Sequence, residues 1–146
     1  MPDKETLERA KEDKREGKAA STQAGEFVRE EIEHVREGKH GARSAKQVIA
    51  IGLSKARRAG VKLPPPKNAS EEVREQAARE TRKGRSAGKG KTSAKRSRAA
   101  SRKLKREGHS AASKTALSRH ARSAAAKRSA ASRSRSARKA AVTRKK

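Results

Sequence analysis

Residues 44–60 read SAKQVIAIGLSKARRAG. Ala45, Val48, Ile49, Gly52, Leu53 and Ala56 recur at i, i+3, i+4, i+7, i+8 and i+11, so one helical face is apolar, while Lys46, Ser54, Arg57 and Arg58 fall elsewhere. Ser44 with Gln47 three positions on has the form of a capping box. Gly60 provides the left-handed residue that closes a helix, Val61 stands where a Schellman cap takes its hydrophobic contact, and Pro64, Pro65 and Pro66 cannot continue it. The stretch therefore predicts a helix with sharp ends and two unlike faces.

Upstream, Ala24, Phe27, Val28, Ile32 and Val35 form a matching stripe on a helix from Ser21 or Thr22 to Glu37, ended by Gly38. The short KHGA connection brings the two helices together antiparallel, so residues 21–63 read as a helical hairpin, with Val61 and Leu63 over the end of its core. Gly52 costs such a helix about 1 kcal/mol against alanine. Close approach of the facing helix explains it; a tolerated defect is the other reading.

The flanks are weaker. Residues 1–20 predict a helix opened by Asp3 and supported by Glu5–Arg9, Glu8–Lys11 and Glu12–Arg15 pairs. Leu7 is its only large apolar side chain apart from Met1, so a solvated helix is expected. Residues 64–83 read as a proline linker and a peripheral helix with Asn68 as N-cap, Glu71 at its third position, and only Val73, Ala77 and Ala78 to pack. From Gly84 onward the composition is Ala, Ser, Lys and Arg. Alanine favours helix and like charges oppose it, so residues 84–146 are expected to be a largely disordered basic tail that gains helix on phosphates. The fold class expected is mainly α: a small helical hairpin, flanking helices and this tail. Inside the tail, Arg106-Glu107-Gly108 and the HSAASKTALSRHARSA that follows resemble Arg36-Glu37-Gly38 and its sequel, as a degenerate repeat or as chance in a biased composition.

Charge is the strongest functional signal. The chain of 146 residues has a formal net charge of +26. Residues 1–83 hold 20 Lys and Arg against 15 Asp and Glu, a net of +5, whereas residues 84–146 hold 22 against Glu107 alone, a net of +21. A polycation of this density releases counterions when it lies on a polyphosphate, which makes nucleic acid the expected partner. With one aromatic residue, Phe27, the chain has no stacking platform for single strands, so duplex DNA is favoured over single strands and structured RNA remains open. Candidate phosphate contacts on the hairpin are Lys46, Lys55, Arg57, Arg58 and Lys62. Those of the tail are Lys89, Lys91, Lys95, Arg96, Arg98, Arg102, Lys103, Lys105, Arg106, Lys127, Arg128, Arg133, Arg135, Arg138 and Lys139.

Other chemistries find little support. Without cysteine there is no disulfide or thiolate site. His34 and His40 are six apart, which is not a one-face helical pair, and His109 and His120 are scattered, so no metal or cofactor is expected. The glycines of GRSAGKGK do not fit a phosphate-binding loop, and no catalytic constellation is visible, so no enzyme is expected. The first residues carry no apolar leader and no run approaches a membrane span, so a cytoplasmic, nucleoid location and no membrane partner are expected. Repeated Ser-Arg pairs such as Ser132-Arg133 and Ser134-Arg135 are compatible with phosphorylation or an RNA-associated segment.

SAKQVIAIGLSKARRAG resembles the signature of a family of small, basic bacterial domains of unknown function, in which an I-A-I-G-L-S-x-A-R-R-A-G run recurs. The resemblance extends upstream through FVREEIEHVREGKHGARS but not to the first helix or the tail, and the tail is separately similar to the basic arms of bacterial histone-like proteins. It implies a bacterial origin and DNA binding, and carries no active site. The expected function is that of a sequence-independent, nucleoid-associated DNA-binding protein, with a homodimer through the hairpin as a possibility. An RNA- or ribosome-associated protein, and an interaction or stress protein with a solubilising tail, are the alternatives.

Overall fold

A computed structural model describes residues 1–86 and 93–145. Among them are seven α-helices and no strand. The centre is the expected hairpin, α2 (Ala20–Arg36) and α3 (Ala45–Arg58). The two run antiparallel: Ala24 and Phe27 meet Ala56 and Val61 at one end, and Val35 meets Val48 at the other. Between these clusters Gly52 lies against Val28, where an added Cβ would stand 2.6 Å from the Val28 Cα. Close approach, not tolerance of a defect, accounts for this glycine.

The start of α3 and the ends of α2 and α3 form as the residues dictate, whereas α2 begins at Ala20, ahead of Ser21 and Thr22, and Asp3 makes no side-chain cap bond to the helix it precedes. Gln47 N–H donates to Ser44 Oγ at 3.2 Å, and Gln47 Oε1 accepts in return from the backbone of Arg43 at 2.7 Å, one residue earlier than in the standard box. Gly38 and Gly60 close α2 and α3 at φ +75° and +98°, and Val61 N–H donates to Ala56 carbonyl oxygen at 3.0 Å, drawing Val61 into the core.

α1 (Lys4–Arg15) is not the solvated helix that its composition suggests. It lies on α2, burying Thr6, Ala10 and Asp13, with Leu7 packed against the Phe27 cluster. Polar ties complete the contact: Arg9 Nε donates to Glu26 at 2.7 Å and Asp3 N–H to Glu30 at 3.1 Å. A face made of alanine, threonine and ion pairs carries little hydropathy, yet packs closely.

α4 (Glu71–Arg85) covers the C-terminal half of α3 through Ala77 and Glu80, and starts after Ser70 instead of Asn68. Gly84 belongs to this helix and not to the tail. A Cβ there would lie 2.4 Å from the carbonyl oxygen of Arg57.

The tail departs most from expectation. Its described residues form α5 (Ala94–Arg106), a 3-10 turn (Ser110–Ala112), α6 (Lys114–Ala126) and α7 (Ala130–Arg144), not a long disordered chain. Alanine's high helix propensity and serine caps offset the repulsion. Ser113 accepts from Ala116 N–H at 3.1 Å, and Ser129 from Ser132 N–H at 3.2 Å. The tail is also anchored: Gly41 N–H donates to Leu104 carbonyl oxygen at 2.9 Å and Ala42 N–H to that of Gly108 at 3.0 Å. Ala111 and Ala112 then complete the Val35–Val48 cluster, and Arg36 Nε donates to Ala112 carbonyl oxygen at 2.9 Å. The chain just after Arg36-Glu37-Gly38 thus meets Arg106-Glu107-Gly108 in space. No helix among the described residues is long and apolar enough to cross a membrane.

Candidate nucleic-acid interface and an internal polar cluster

The expected phosphate contacts divide into two classes. Lys46, Arg58 and Lys62 are exposed on the hairpin. Lys55 and Arg57 are not available: both point into the protein, where carboxylates hold them. Arg57 is buried, donating from Nη1 to Glu80 Oε2 at 3.2 Å and from Nε to Leu63 carbonyl oxygen at 3.2 Å. Glu80 also accepts from Ser54 Oγ at 2.6 Å and Gln76 Nε2 at 2.8 Å. Burial pushes the Glu80 carboxyl up, but these hydrogen bonds and the guanidinium charge outweigh it and hold it below the ordinary carboxylate range. Arg57 is a structural strut between α3 and α4.

In the tail, Lys95, Arg96, Arg98, Arg102, Lys103, Lys105 and Arg106 stand exposed on or at the end of α5. Lys127 and Arg128 flank the turn into α7, and Arg133, Arg135, Arg138 and Lys139 line α7, again all exposed. Neither α5 nor α7 buries a residue. Lys89 and Lys91 lie outside the described residues. The only carboxylate of residues 84–146, Glu107, is tied to Arg43 at 3.3 Å across the anchoring joint.

A second grouping went unread in the sequence. Glu31 is fully buried on α2, and three cationic or imidazole groups, Lys55, His34 and His40, gather around it and Glu30. Lys55 Nζ pairs with Glu31 and donates to Glu30 Oε1 at 3.1 Å. His34 Nδ1 lies 3.5 Å from Glu31 Oε1, and His40 Nε2 lies 3.2 Å from Glu31 Oε2. His34 Nε2 faces Asp3 Oδ2 at 3.3 Å, while His40 Nδ1 faces the carbonyl oxygen of Gly41 at 3.1 Å. Despite these close approaches, neither Glu31 oxygen has a hydrogen bond of acceptable geometry. Burial pushes Glu30 up, yet Thr6, the Asp3 N–H and Lys55 more than compensate and hold it below the ordinary range.

The spacing of six that argued against a histidine pair applies only within a helix. α2 ends at Arg36, Gly38 reverses the chain, and His40 returns to the side on which His34 stands, with the ring centroids 6.1 Å apart in an edge-to-face arrangement. The legible signal was Glu31 and His34 at i, i+3 just before a glycine turn carrying another histidine.

Comparison with known proteins adds one likeness. No curated protein and no solved structure matches the chain. Residues 6–68 match the model of a family of unknown function (DUF6496), so the likeness takes in nearly all of α1, which was expected to lie outside it, as well as the α2–α3 hairpin and the proline segment. The cluster around Glu31, except Asp3, falls inside that stretch, and the cationic helices α5–α7 fall outside it.

Proposed function

We propose that the protein binds nucleic acid through phosphate, without base specificity and with duplex DNA favoured, as a non-enzymatic nucleoid-associated protein of the histone-like kind. The observation that carries this reading is the segregation of charge. The acidic residues are concentrated in residues 1–83, many of them in ion pairs, whereas α5–α7 hold out Lys and Arg with no carboxylate among them. Lys and Arg on exposed helices contact phosphate oxygens and carry no base code, so affinity is electrostatic and salt-dependent.

Fluorescence anisotropy of the full chain on duplex DNA over a salt series tests the reading. With about ten phosphates neutralised, log K falls against log salt with a slope near −9. Replacing Arg133, Arg135, Arg138 and Lys139 by glutamine touches no buried residue, and it should flatten that slope by about three to four. A slope near zero overturns the proposal. Stronger competition by structured RNA than by duplex DNA moves it to the RNA-associated alternative.

A further inference from the structure

We propose that Glu31, His34 and His40 form a binding site for one divalent transition ion of the zinc class. One donor atom from each residue comes within 4.8 Å of the others. The imidazoles face different oxygens of the carboxylate, His34 Nδ1 at 3.5 Å from Oε1 and His40 Nε2 at 3.2 Å from Oε2, and each separation is close to the donor–donor distance of about 3.3 Å in a tetrahedron with bonds of about 2.0–2.1 Å. Two imidazoles and one carboxylate are a donor set that such ions favour.

The outer partners set the rings for this role. In the tautomer with its N–H on Nε2, His34 donates to Asp3 and leaves Nδ1 facing Glu31; in the tautomer with its N–H on Nδ1, His40 donates to the Gly41 carbonyl oxygen and leaves Nε2 facing Glu31. Carboxylate and carbonyl partners behind ligating imidazoles are the usual means of fixing tautomer and orientation. The result is three lone-pair donors converging around a fully buried carboxylate whose oxygens lack sound hydrogen bonds. Such a convergence calls for a cation at its centre.

Lys55 supplies part of that charge, and it has a second position available. Its ammonium already touches Glu30, so it can release Glu31 to an ion and remain paired. A competing set, Asp3, Glu30 and His34, is also within ligand spacing, but Glu30 is occupied by Thr6, the Asp3 N–H and Lys55. A cleft lined by Asp3, Glu33 and Glu37 as well as Arg29 and Lys39 opens onto His34.

The test is calorimetric titration of the full, chelator-treated chain with zinc chloride, alongside the visible absorption of the cobalt(II) form. Expected are one equivalent of saturable binding and a cobalt spectrum of nitrogen–oxygen coordination. His34→Gln and His40→Gln should each weaken zinc by at least about 100-fold, the upper end of what loss of an outer partner produces. His120→Gln should change nothing. Circular dichroism checks that each variant is folded. Lys55→Gln removes the competing ammonium, so zinc should bind it more tightly than wild type and raise its thermal midpoint further. Absence of saturable zinc binding by the wild type overturns the proposal, as does binding that survives both histidine substitutions in folded protein. If either histidine variant does not fold, the wild-type stoichiometry and the Lys55→Gln comparison decide: equal or weaker zinc binding by Lys55→Gln counts against the site.

Discussion

Arg57 on α3 and Glu80 on α4 form a buried ion pair, Nη1 to Oε2 at 3.2 Å, with side chains only 9% and 6% exposed. Removing one partner leaves the other charge buried and uncompensated. Glu80→Ala and Arg57→Ala should each destabilise the fold by about 3–5 kcal/mol, read from urea unfolding. Arg57→Met with Glu80→Leu should lose much less than the two single losses combined. Additive losses would show that the pair is not coupled.

Two helical glycines should respond in opposite directions. At Gly52 a methyl group would collide with the Val28 backbone, so Gly52→Ala should cost about 1–3 kcal/mol despite alanine's higher helix propensity. At Gly25, also helical, nothing lies within 4 Å of an added Cβ. Gly25→Ala should stabilise by about 0.4–1 kcal/mol. Thermal unfolding of the two variants side by side checks both signs.

Acid should weaken the fold through Glu30 and Glu80. Both are held below the ordinary carboxylate range when folded, so the unfolded chain, at about 4.3, binds these protons more readily. Their contribution is full above about pH 4.3 and is lost as pH falls through the lowered folded-state values. Urea midpoints should therefore drop below about pH 4.3, with a shallower drop in Glu30→Gln and Glu80→Gln.

The anchoring joint is open to a backbone test. A Cβ at Gly41 would lie 1.9 Å from the Glu107 carbonyl oxygen. Gly41→Ala should therefore separate the tail from the hairpin. Amide exchange at Gly41 and Ala42, whose N–H groups donate to Leu104 and Gly108, should accelerate while exchange in the centre of α2 changes little.

The hairpin was legible because its determinants are local: apolar residues at helical spacing, Ser44 with Gln47, and glycines at both helix ends. The docking of α1 and of the tail was not, since Ala10, Ala111 and Ala112 fill contacts that hydropathy assigns to larger side chains. Lys55 and Arg57 sit in a run of bases and read as surface charge. Their partners lie 25, 24 and 23 residues away, at Glu30, Glu31 and Glu80, where no periodicity connects them. The internal cluster was missed for a similar reason. His40 joins His34 only because the chain turns at Gly38, a change of direction that spacing within one helix does not represent.

The joint at Gly41 and Glu107 also bears on kinetics. It fixes a point between α5 and α6, so that the cationic helices extend from a common support. If the chain binds duplex DNA as proposed, such helices would detach one at a time while the others hold, each waiting near its vacated phosphates at roughly millimolar effective concentration. A second duplex can capture a detached helix before it rebinds. Residence on one duplex would then shorten as free duplex is added, and the protein would pass between strands directly, without an excursion through solution.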